Sequence, residues 1–245
     1  MSAKIITFVG LNLFDMKKIL LTISLLAAFV AAADAQSGAF SYGVKAGPTL
    51  YWAGAASTSC QNLGARLGFG LGAVVDYHLS ANLAVSSGLE FNLMRFKHSL
   101  VDYRRMENFL EYSTVALERR TTATYFEIPL KVKARTELID DVTGFVEAGL
   151  GLGMNLSAMV KDEFEFYGIP YADTTYVDAT YRYRMLQAAL RFGLGAEYAI
   201  SSDYSVFAQF SFRHALSNMF TYQLQKQTGS NMKANFIGIE AGVMF

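Results

Sequence analysis

Three histidines, one cysteine and scattered serines and carboxylates are what this 245-residue chain offers for catalysis or metal binding. His78, His98 and His214 fall in separate segments and lack the spacing that gathers metal ligands. His214 shares a segment with Ser211, but no third group stands at a spacing that would orient a base beside a nucleophile. A hydrogen-bonded histidine inside the fold or at its rim is the expected role for each. Asp162 and Glu163 adjoin in a polar stretch and read as a solvated charge cluster. Cys60, alone, excludes an internal disulfide and a cysteine zinc cluster, and its position in a polar break predicts exposure. The glycines of Gly68-x-Gly70-x-Gly72, Gly149-x-Gly151-x-Gly153 and Gly193-x-Gly195 resemble a phosphate loop. A phosphate cradle, however, needs a strand-to-helix turn, whereas these glycines recur at spacing two within alternating segments and so share one strand face. No catalytic residue, cofactor or metal is assigned, and the expectation is a protein that is not an enzyme.

The remaining chemistry is charge. Lys45, Arg66, Lys131, Lys133, Arg135, Arg191 and Arg213 lie in the polar phase of alternating segments, with Asp76, Glu90, Glu127, Glu147, Glu197 and Glu240. Seven bases against six acids is near parity, and buried ions must be paired or hydrated. If that phase faces inward, the interior is a laced network of ion pairs.

Eight segments carry these residues. The apolar set of the first is Phe40, Tyr42, Val44, Ala46, Pro48, Leu50 and Trp52. In the fourth it is Phe126, Ile128, Leu130, Val132 and Ala134, set against Glu127, Lys131, Lys133 and Arg135. The last ends Ile237, Ile239, Ala241, Val243, Phe245. Strict alternation over such lengths predicts strands with one apolar face. The breaks near 79–82, 136–143 and 201–203 are short, whereas those near 54–63, 98–121, 160–182 and 221–231 are long. Short turns at one end, long loops at the other and an even strand count are the pattern of a bacterial transmembrane barrel. The expected fold is all-β, an eight-stranded antiparallel up-and-down transmembrane β-barrel over residues 36–245.

Composition agrees. The chain has 20 Gly, 14 Tyr and 19 Phe against 3 Pro, and a mean hydropathy of +0.23. Past residue 35 no apolar run is long enough for a transmembrane helix, which leaves a closed barrel as the way to cross a bilayer. A soluble sandwich or lipocalin-like barrel would turn its polar face to water, but here that face is dominated by glycine and balanced charge. With a formal net charge of zero, no basic face stands out in the sequence to neutralise nucleic-acid phosphates.

At the N-terminus, Lys17-Lys18, the apolar stretch Ile19–Ala32 and Ala33-Asp34-Ala35 form an export signal, with cleavage expected between Ala35 and Gln36. Residues 1–15 precede that pattern, and Met16 is the expected true start. Phe245, an aromatic at the outward end of the last strand, is the expected signal for barrel-insertion machinery.

The stretch Tyr125-Phe126-Glu127-Ile128-Pro129-Leu130-Lys131-Val132-Lys133 resembles the outer-membrane β-barrel domain family of Bacteroidetes, often called porin-like or PorT-like. Gly43-Val44-Lys45-Ala46-Gly47 resembles that family's first strand. The resemblance covers the mature chain and implies an outer-membrane location. Its motifs are structural and carry no activity, and one member type serves a secretion machine. The expected function is a barrel with a charge-filled interior and a structural or protein-interaction role, accessory to secretion or surface assembly; the alternative is a small porin-like channel for ions or solutes. Outer-membrane lipid, the insertion machinery and an envelope protein meeting the outer loops are the expected partners. The acidic, Tyr-rich 160–182 stretch suits such a contact.

Overall fold

A computed structural model describes residues 40–55, 60–105, 112–166, 169–173 and 175–245. The expected export signal, with Ala35 and Gln36, lies outside the described residues.

Ten strands form in chain order: β1 (Phe40–Ala55), β2 (Cys60–Ser80), β3 (Leu83–Arg105), β4 (Tyr112–Ile139), β5 (Val142–Phe166), β6 (Ile169–Ala172), β7 (Val177–Asp178), β8 (Leu186–Ala199), β9 (Ser205–Ala215) and β10 (Met232–Met244). Eight of them close a ring in the order β1-β2-β3-β4-β5-β8-β9-β10. Antiparallel β1–β10 pairing seals it, from Gly43 opposite Met244 to Ala55 opposite Met232. A closed ring leaves no strand edge facing lipid. The small strands β6 and β7 pair with the upper part of β5 instead.

Outward positions are the apolar phase read from sequence. Leu71, Phe91, Leu130, Leu152, Leu194, Phe210 and Ile239 are all exposed, while the glycines and charges between them point inward. On β3 this apolar face runs from Leu83 to Leu93. At about 3.3 Å per residue and a tilt near 40°, that spans roughly 25 Å, the height of a lipid-facing band. The turn between β4 and β5 is Asp140–Asp141, with Asp141 in the left-handed region (φ 65°) and a register shift between Glu137 and Ile139, as in a tight hairpin closed by a bulge.

The other end is taller than the alternation suggested. β3 and β4 stay paired up to Arg105 opposite Tyr112, and β4 and β5 up to Leu117 opposite Phe164. The expected loop 98–121 is therefore largely a hairpin wall, and β5 continues into the expected loop 160–182. Facing this wall, the segment after β9 folds over the barrel mouth and contains a short helix, α1 (Tyr222–Thr228).

The interior lattice and its two apolar plugs

The lower and middle barrel is filled by ions that meet across it. Glu127 accepts Arg191 Nη1 at 2.5 Å and Arg213 Nε at 2.8 Å. Glu90 takes Arg191 Nη2 at 2.8 Å and Lys45 Nζ at 2.7 Å, and Lys45 reaches Glu240 at 2.7 Å. Toward the short turns, Lys131 pairs with Glu147 at 2.6 Å and Lys133 with Asp76 at 2.7 Å. Glu197 receives Arg135 at 3.2 Å, and His78 Nε2 lies 2.8 Å from Ser41 Oγ. Glu90 and Glu127 stand opposite each other in register, a repulsive placement that Arg191 reconciles by bonding both. Glycine provides the room: a Cβ at Gly151 would meet Glu127 Oε1 at 2.4 Å, and one at Gly193 would meet Glu147 Cγ at 2.5 Å.

Twelve of the thirteen charges expected inside are thus brought together. Arg66 is the correction. The β2–β3 register shifts twice between Asn62 and Phe69, and in that irregular stretch Arg66 is exposed, away from the lattice. A bulge re-aims side chains locally, so position parity no longer reports the face.

Apolar clusters flank the lattice. At the short-turn end Val74, Phe145, Phe207 and Met244 pack together inside, with Lys133 Nζ 4.3 Å from the Phe145 ring centre. At the outer end a larger cluster unites Tyr51, Met94, Phe96, Leu117, Val160, Met219, Phe220 and Leu224. A layer of amides and phenols joins it to the charges: Gln187 donates to Tyr125 Oη at 2.8 Å, and Tyr51 to Asn92 at 3.3 Å. The hollow among Lys45, Gly70, Glu90, Asn92 and Glu240 has no room for a water molecule.

The outer plug corrects three expectations. Cys60 is buried in it, not exposed. Asp162 is not a loop charge: it is fully buried and accepts Arg119 Nε at 2.6 Å and Nη2 at 2.7 Å. Glu163, on the opposite face, pairs with Arg120 at 2.9 Å. His98 is buried between the rings of Phe96 and Phe220, at 5.4 and 5.9 Å, and neither ring nitrogen has a hydrogen-bond partner among the described residues. Its neighbours along the outward face are charged, which puts it above the lipid band. Burial, helped by the Arg119 charge, pushes its imidazole down to about 3. Burial likewise raises the Tyr183 phenol, whose oxygen lies 2.9 Å from Thr121 Oγ1. His214 is half-buried on β9, with Ser211 three positions away on the same strand. Among the described residues no three His, Cys, Asp or Glu side chains gather as a metal site.

Residues 33–221 match the family model for the outer membrane protein beta-barrel domain. The chain belongs to that family. Its location is accordingly the outer membrane, where the exposed apolar band contacts lipid. No curated protein sequence matches the chain significantly. Similar solved structures include Neisserial surface protein A, at 12% identity over 83% of this chain and 97% of that one (TM-score 0.42). The attachment invasion locus protein Ail of Yersinia pestis is 13% identical over 85% of this chain and 100% of that one (TM-score 0.38). OprG from Pseudomonas aeruginosa is 10% identical over 84% and 96% (TM-score 0.35). None of these lends a residue role to this barrel.

Proposed function

We propose that this outer-membrane barrel is a closed scaffold that presents its outer wall and cap to an envelope protein, as an accessory of secretion or surface assembly. The observation that carries this is the filled interior. A lattice of ion pairs lies between two apolar plugs, and moving a solute through would separate charges whose desolvation is repaid only in place. The rim supports a protein contact: Tyr171, Tyr176, Val177, Tyr181 and Tyr222 are exposed on the outer segments, and exposed tyrosines suit protein interfaces. The Tyr125–Lys133 motif supports placement in the PorT-like branch of the Bacteroidetes family. An exported precursor cleaved before Gln36 fits the same location.

Reconstitution into planar bilayers tests the reading. The expected trace is flat; steady, reproducible conductance steps from the folded protein would overturn the closed scaffold in favour of a small channel.

A further inference from the structure

On the outward face just above the lipid band, three cations stand in one row. Lys97 lies directly opposite Arg120, and Arg120 directly opposite Lys161, across β3, β4 and β5. Arg95 stands one level closer to the membrane, two residues above Leu93, where the apolar face of β3 ends. Glu118 and Glu163 form the next row outward, opposite each other. Like charges directly across a strand pair destabilise it, so this stacking has a cost that diagonal pairs only partly offset. Among them are Lys97 with Glu118 and Arg120 with Glu163, both partly exposed and so of small worth. Arg120 Nε keeps no hydrogen-bond partner, and Arg95 no ion pair, among the described residues. Across the barrel the corresponding stretch of β10 and β1 has Lys233 as its cation, with Asn235 opposite Trp52.

We propose that Arg95, Lys97, Arg120 and Lys161 form a one-sided site for the anionic headgroup of an outer-leaflet phosphorylated lipid. The order of the rows carries it. Cations lie at headgroup depth and carboxylates one row farther out, so an approaching lipid phosphate meets positive charge first. Long Lys and Arg side chains reach down to the interface while their stems cover the strand. Each basic side chain near an anionic surface adds attraction, and a guanidinium matches phosphate with two donors. The inference rests only on the outer-membrane location, so a conducting barrel would leave it standing.

The test is native mass spectrometry of the refolded barrel released from mixed micelles of diphosphoryl lipid A and phosphatidylcholine. The wild-type protein should retain diphosphoryl lipid A in preference to phosphatidylcholine. The Lys97→Gln/Arg120→Gln variant should lose roughly tenfold in that retention, whereas Lys233→Gln keeps it. Equal retention by the double variant, an equal loss in Lys233→Gln, or release by excess inorganic phosphate would each overturn the proposal. If the double variant does not fold, Arg95→Gln decides. That exposed side chain bears no ion pair among the described residues, and unchanged retention in its absence counts against the site.

Discussion

Arg119 and Asp162 are direct cross-strand neighbours on β4 and β5 that meet through two hydrogen bonds, with 1% and 0% of their surfaces exposed. The pair lies inside the outer apolar plug, where water cannot replace either partner. Removing the carboxylate takes the counterion from a fully buried guanidinium. We expect Asp162→Asn to cost about 3–5 kcal/mol locally and to loosen the wall while the membrane-embedded barrel persists. Cys60, buried in the same plug, reports it: a membrane-impermeant maleimide should label the variant much faster than the wild-type protein. Equal labelling rates would show that the pair does not hold the plug together.

Glu127 carries two arginines, so neutralising it strips both of a shared buried carboxylate. Glu127→Gln should lower the denaturation midpoint of the compact gel form, by a loss of about 3–5 kcal/mol. Glu127→Leu combined with Arg191→Met and Arg213→Met should recover part of that loss, because no member of that triad is left unpaired. A triple variant weaker than the single one would contradict this account.

His98 sets the acid response of the cap. Its folded-state value is depressed from 6.5 to about 3, so the neutral ring is favoured in the fold and the charged ring outside it. The stability this confers is complete above the ordinary histidine value and is lost as pH falls from there toward the folded value. At pH 5 the loss reaches about 2 kcal/mol. Protection factors of amides in the 216–231 segment, corrected for the intrinsic slowing of exchange at lower pH, should therefore fall between pH 7 and 5. In His98→Leu that fall should flatten; an unchanged profile would assign the acid sensitivity to other groups.

Phe245 joins the two ends of the ring. Its backbone exchanges hydrogen bonds with Tyr42 at 2.7 and 3.2 Å, and its ring lies 5.8 Å from Tyr42 and 5.7 Å from Tyr204. Phe245→Asp should reduce the barrel recovered in outer membranes far more than it lowers the denaturation midpoint of the fraction that folds. Normal membrane levels of that variant would remove any assembly role for this side chain.

The lipid-embedded barrel was legible in the residues because one rule governs every strand there: apolar outward, polar inward. The glycine and charge phase of Lys45, Glu90, Glu127, Arg191 and Glu240 follows from that rule alone. Which charge meets which was not legible, since Arg191 spans from β8 to strands β3 and β4, partners set by the closed ring.

Above the membrane the rule inverts, because water replaces lipid outside and the apolar side must turn in. On β3 the apolar phase passes from Phe91 and Leu93 to Met94, Phe96 and Leu100, and in sequence this looks like the end of a strand. On β5 it never changes parity: Met154, Leu156, Ala158 and Val160 continue in step. There a register shift opposite Thr124 and Tyr125 inserts Leu156 as an extra residue, and the same parity swings from lipid to core. Sequence by itself determined the strands, the lipid-facing band and the near-balance of interior charge, all consequences of alternation at period two. Only the tertiary structure decided where the faces exchange, that His98, Arg119 and Asp162 become interior, and that Arg66 does not. Each of those depends on bulges and on what packs across the mouth, which no local spacing records.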